Sequence, residues 1–295
     1  MFFYLKNIFH FHVNSAPNYY GHKITENKNQ YAYLLAYLIL YPALAYRNLN
    51  QLKLFNNFKI IDTCTIDYFL LAISYSSIIN VQIKNYLNNS TRLDKTDCLK
   101  SKLNEIVNLI LQNEWNKAKT IWILNVLKLE PKRRCFSKFG DEFDFFIKHV
   151  KELQLLNYTC SNRSCRNSVH TNDELYFEFD DNNNMIFTYD VYQCRNCKSS
   201  KNVKKTFENR PYWLFIQNLI KNNSEQLTIY DLPSELLLDN KKYILLMCTF
   251  SVGIHFKSIF KLLNELFIFD DMFDDLNKNI CKHVVSSCLY YLANE

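Results

Sequence analysis

Apolar residues fall into helical spacing once the chain passes residue 60. Ile66, Phe69, Leu70 and Ile73 recur at three- and four-residue steps, which lays one stripe along an α-helix. Asp62 or Thr63 just ahead can cap the first turn, so the pattern predicts a helix opening near Cys64. The same spacing returns in Leu103, Ile106, Val107 and Ile110, then in Trp115, Ala118, Ile121, Trp122 and Leu124. It returns once more in Phe143, Phe146, Ile147, Val150 and Leu153. Residues 62–156 therefore read as mainly α.

The texture then changes. Leu175–Phe179 and Met185–Tyr192 are rich in aromatic and β-branched residues, and the Asp/Asn run 180–184 between them has turn composition. Together they predict a β-hairpin. Tyr212–Ile216, Tyr243–Phe250, His255–Leu262 and Leu266–Phe269 read as strands, and Ile280–Leu292 as a closing helix. The expected class is α+β: a helical half, a small β finger and a β-rich half. The boundaries fall at 1–50 (an extension without a clear role), 51–156, 157–205 and 206–295. No internal repeat is visible.

Composition narrows the possibilities. Apolar residues make up 48% and aromatics 16%, enough for an ample core. Only 3 glycines occur, too few for a Gly-rich phosphate loop, which removes the P-loop and dinucleotide-binding readings. The net charge of +6 is mild, and most Lys and Arg sit beside acids, as on a solvated face. Tyr31–Tyr46 is apolar but holds Pro42 and falls short of the roughly 20 residues of a spanning helix. No membrane partner is expected. The N-terminus, broken by Lys6, His10 and His12, makes a poor signal peptide. With 10 cysteines, the expectation is an intracellular protein of cytoplasm or nucleus with reduced thiols.

Two cysteine pairs flank the predicted hairpin. Cys160 and Cys165 precede it, and Cys194 and Cys197 follow. Tetrahedral zinc takes four thiolates supplied as two close pairs on turns. Such a site is closed and therefore structural. Cys248 sits in an apolar run and reads as core, while Cys98, Cys135, Cys281 and Cys288 show no pairing and read as inert thiols.

That leaves Cys64. A helix start supplies partial positive charge and unpaired N–H groups, which favour a thiolate. A nearby imidazole completes the activation, and a third group must orient that imidazole. His255 begins an apolar run two residues after Gly253, and Asp270 and Asp271 close the next run. A hairpin between those runs sets the histidine and the acids on neighbouring strands.

The ordered set resembles the ubiquitin-specific protease family of papain-like cysteine isopeptidases. Asp62-Thr63-Cys64-Thr65-Ile66-Asp67 is similar to the family's Cys box, and Gly140-Asp141-Glu142-Phe143 resembles its acidic signature. The two cysteine pairs look like the zinc-binding fingers. Leu232-Pro233, Tyr243-Ile244, Gly253-Ile254-His255-Phe256 and Phe269-Asp270-Asp271 are similar to the His box. The resemblance spans about residues 55–275. It implies a papain-like fold with a helical thumb, zinc-binding β fingers and an antiparallel β palm. It implies Cys64 as nucleophile, His255 as base, Asp270 as orienting acid with Asp271 assisting, and structural zinc on Cys160, Cys165, Cys194 and Cys197. The implied partner is ubiquitin or a ubiquitin-like modifier with its protein conjugates.

The chain departs from the family pattern at three positions. Phe256 follows the histidine where Tyr is usual, and Asp67 stands where Asn or Ser is usual. Both resemble the SUMO-isopeptidase branch, so the modifier stays open. Lys59 stands where an oxyanion-hole Asn is expected. Loss of one such donor typically costs about 100–1,000-fold in rate. A catalytically inactive, modifier-binding pseudoenzyme is therefore the first alternative. A zinc-knuckle nucleic-acid binder, using Lys198–Lys205 with Tyr212 and Trp213, is the second.

Overall fold

The computed structural model describes residues 59–294 apart from 62–63, 90–94, 130–134, 138–141, 151–152, 154–155, 161, 163–164, 166–167, 172–174, 180–184, 190–196, 199–202, 208–210, 221–226, 239, 253–254, 263–264 and 270–282. These residues belong to one unit, Tyr37–Glu295. The architecture mixes a helical layer with a largely antiparallel sheet. In chain order the helices are α1 (Cys64–Ile79), α2 (Val81–Asn88), α3 (Lys95–Leu111) and α4 (Trp115–Ile121). α4 runs into a π-helical turn, Trp122–Val126. A second π-helical turn, Phe143–Ile147, runs into α5 (Lys148–Val150).

α1 is buried from Cys64 to Ser77 without an exposed face, as expected of a helix that is apolar nearly all round. Its serines do not break it, because each hydroxyl returns to a local carbonyl: Ser74 to Leu70, Ser76 to Ile73 and Ser77 to Ser74. Asn80 ends α1 and starts α2. Its Oδ1 accepts from the Gln82 and Ile83 amides, and its Nδ2 donates to the Leu292 carbonyl at 2.6 Å. One buried amide thus caps a helix and ties it to the sheet.

The main sheet runs β12-β11-β10-β13-β8-β5-β6, with β9 also paired on β10. Its strands are β5 (Leu175–Phe179), β6 (Met185–Tyr189), β8 (Trp213–Ile220), β9 (Glu235–Leu238), β10 (Lys241–Val252), β11 (His255–Leu262), β12 (Glu265–Phe269) and β13 (Val285–Leu292). All its pairings are antiparallel except β5 on β8. The expected helix over 280–292 is corrected here. Val285–Leu292 is a central strand between β10 and β8. A strand buried on both faces reads as a continuous apolar run, so its sequence lacks the alternation that marks a half-exposed strand.

The predicted hairpin forms as β5–β6, with Phe177 opposite Phe187. It is not an isolated finger, because β5 joins the main sheet through β8. A separate sheet runs β4-β3-β7, from β3 (Leu156–Cys160), β4 (Ser168–Thr171) and β7 (Val203–Phe207). β1 (Lys59–Ile61) pairs in parallel with β2 (Cys135–Ser137).

Stacked aromatics join the helices to the sheet. Trp122 stacks on Phe146 at 4.4 Å, Phe146 on Phe69 at 4.7 Å, and Phe215 of β8 tilts against both phenylalanines. The indole N–H groups find partners, Trp122 at the Phe145 carbonyl and Trp213 at Ser76 Oγ, as buried amphipathic rings require. On the far face, Leu214, Ile216, Cys248, Ile259, Ile268 and Cys288 belong to a second apolar cluster.

Candidate active site and cysteine cluster

Cys64 is the first residue of α1 and is buried. The first turn of a helix leaves N–H groups without intrahelical partners, so this thiol sits beside donors suited to an anion. Tyr68 lies one turn further along α1. Its hydroxyl donates to the Phe256 carbonyl at 3.0 Å, across 188 positions of sequence. This bond fastens the start of β11, which opens at His255, to the first turns of α1. The bond is made beyond the reach of β12, whose last pairing is Phe269 with Ser258.

The pleat of β11 is informative. Phe260 lies in one cross-sheet row with Met247, Leu289 and Phe215, on the side where Phe215 meets Phe69. Alternation from Phe260 sets Ser258 and Phe256 on that helix side, and Ile259, Lys257 and His255 on the other. His255 is half-buried and pairs with Val252. Asp270 and Asp271 lie outside the described residues, as does the extension 1–50. Lys59 lies in β1 opposite Cys135.

Asp67 and Lys119 form an ion pair of 2.6 Å, with side chains only 1% and 10% exposed. Sequence reading did not find it. A lysine in α4 looks like a solvent-facing residue, and only tertiary packing shows otherwise. Tyr68 was legible as a residue of the α1 stripe, but its partner was not.

The remaining described thiols divide by environment. Cys248 and Cys288 are directly opposed on β10 and β13 and fully buried. Burial pushes both thiols up, with smaller contributions from neighbouring charges, Glu142 in both cases. They are core residues that stay protonated, and Cys288 joins Cys248 in that role rather than standing apart as an unpaired thiol. Cys98 is exposed.

Cys160, Cys165 and Cys197 converge, with their sulfurs all within 4.8 Å of one another. Cys160 Sγ lies 3.6 Å from Cys197 Sγ, and a turn from the Cys165 amide to the Asn162 carbonyl shapes the first knuckle. Tetrahedral zinc with bonds of about 2.3 Å sets its thiolates about 3.8 Å apart. The cluster fits that spacing with three ligands, and Cys194, the fourth expected one, lies outside the described residues. In such a site zinc would serve to hold β3 to the turn that carries Cys197.

No family model matches this chain, and no curated protein does either. Among solved structures, similarity is found to a yeast splicing factor at TM-score 0.40 and 8% identity, covering 81% of this chain and 70% of that one. The Saccharomyces cerevisiae Pan2 pseudoubiquitin hydrolase–RNA exonuclease module, in complex with AAGGAA RNA, aligns at TM-score 0.41 and 11% identity over 79% of this chain and 52% of that one. The MERS coronavirus papain-like protease aligns at TM-score 0.36 and 9% identity over 79% and 64%. The chain thus spans about half the length of the Pan2 module it matches. At this level of similarity these neighbours bear on neither activity nor ligand.

Proposed function

We propose that the chain is a cysteine isopeptidase that releases ubiquitin or a ubiquitin-like modifier, SUMO included, from protein lysines. The observation that carries this reading is the Tyr68–Phe256 hydrogen bond, which holds the strand opened by His255 against the helix opened by Cys64. In this reading Cys64 attacks the isopeptide carbonyl. His255 accepts the thiol proton and returns one to the leaving lysine amine. Asp270 orients the imidazole, with Asp271 beside it. The N–H groups of the first turn of α1 receive the oxyanion, since Lys59 occupies the position of the usual amide donor. His255 is the first residue of β11, and this reading requires its ring to turn toward α1. Zinc on Cys160, Cys165, Cys194 and Cys197 would brace the β4-β3-β7 sheet against the modifier's globular body.

The alternation of β11 favours a second reading, a modifier-binding protein without turnover. It sets His255 on the face opposite the α1 side, and Lys59 removes one oxyanion donor. Both readings share the modifier and part at the chemistry. Incubation with ubiquitin or SUMO bearing a C-terminal electrophile should yield a covalent adduct that Cys64→Ala abolishes. An unchanged adduct in Cys64→Ala ends the isopeptidase reading. Saturable modifier binding with no adduct in the wild type selects the second.

A further inference from the structure

Asp67 of the Asp67–Lys119 pair shares α1 with the proposed nucleophile. Asp67 is three residues beyond Cys64 on α1, and helix neighbours three apart share one face with Cβ atoms about 5–6 Å apart. Its carboxylate is 1% exposed and its partner ammonium 10% exposed, at 2.6 Å. A carboxylate one helical turn from a thiol opposes its ionisation, and an ammonium favours it. Both effects act at greater strength in a dry interior than in water.

We infer that Lys119 is a positioning residue that cancels the Asp67 charge and so sets the reactivity of Cys64. This inference rests on the reading of Cys64 as nucleophile. The two charges offset each other, so the thiol sees the helix terminus rather than a buried anion. Loss of either member would unmask the other. Among the described residues, other buried or half-buried titratable groups on the elements packed against α1 include Glu142, just ahead of the Phe143–Ile147 turn, His255 at the head of β11, Lys100 of α3, Tyr86 of α2 and Tyr243 of β10. Cys248 and Lys257 belong to the opposite face of the sheet by alternation. Lys84 of α2 is exposed, and the Lys102–Glu105 and Lys117–Glu114 pairs of α3 and α4 lie at the surface.

A purely structural ion pair makes a different prediction, since removal of either partner would then disturb Cys64 in the same direction. Alkylation of Cys64 by iodoacetamide, read by peptide mass spectrometry on the full chain near pH 7, separates the two. Asp67→Asn removes the negative charge and keeps the ammonium, so Cys64 should alkylate about tenfold faster. Lys119→Gln keeps a hydrogen-bond donor for the carboxylate but removes the positive charge, so Cys64 should alkylate about tenfold slower. Opposite changes uphold the inference. Equal rates, or changes of the same sign, overturn it. Should Asp67→Asn fail to fold, Lys119→Arg, which keeps the positive charge, should hold the wild-type rate where Lys119→Gln slows it, and equal rates in the two Lys119 variants overturn the inference. The assay needs no modifier, so failure of modifier labelling would sink the isopeptidase reading while leaving this contrast measurable.

Discussion

Two regions of this molecule are held together in different ways. Around α1 the protein relies on packed rings: Trp122, Phe146, Phe69, Phe215 and Trp213 are all buried to within 1%, and their polar tips are satisfied internally. The β4-β3-β7 sheet is built from three short strands and carries three converging sulfurs at one end. A core of large aromatics stabilises itself, whereas a small sheet needs a staple. The contrast predicts that one region survives metal removal and the other does not.

The largest expected effect comes from the staple. Structural zinc sites in small modules contribute apparent free energies of about 10 kcal/mol or more. A chelator should remove zinc from the cysteine cluster and unfold the β4-β3-β7 sheet, while the fluorescence of Trp115, Trp122 and Trp213 in the body is retained. Loss of both signals together would mean that the two regions form one cooperative unit. Next in size, Trp213→Ala empties a fully buried ring site and removes the donor to Ser76. A cost of about 3–5 kcal/mol is expected in denaturant melts, with zinc content unchanged. A smaller drop would show that the body tolerates repacking.

The smallest effect concerns His283, whose ring stacks on Phe250 at 4.3 Å. Partial burial and then Lys257 hold its imidazole below the usual histidine range. The unfolded chain therefore takes up this proton at a higher pH than the folded one. Stability is fully present above about pH 6.5 and declines as pH falls toward the depressed folded value. His283→Phe should flatten that decline in thermal melts, and an unaltered slope would assign it to other groups.

Much of this was legible in the chain, for reasons that differ by element. The start of α1 at Cys64, the hairpin β5–β6 and the start of β11 at His255 follow from periodicity and turn composition, which are local. β13 was misread because a central strand buried on both faces carries no alternation. The docking of α1 on β11 through Tyr68, and the burial of Lys119, depend on which distant surfaces meet, and neither residue's neighbours in sequence encode that. Asn80 belongs with the features that only the structure revealed. Its capping of α2 was not read from the chain, and its second bond, to Leu292, belongs to the tertiary fold alone.

The central claim is that Cys64 and His255 act as one catalytic unit. The direct measurement is intact-protein mass spectrometry after reaction with modifiers carrying a C-terminal electrophile, with the adduct mapped to a peptide. The account predicts a single adduct on Cys64 for at least one modifier, formed at least about 100-fold more slowly in His255→Ala. An adduct on another cysteine, or on Cys64 at an unchanged rate in His255→Ala, would contradict it.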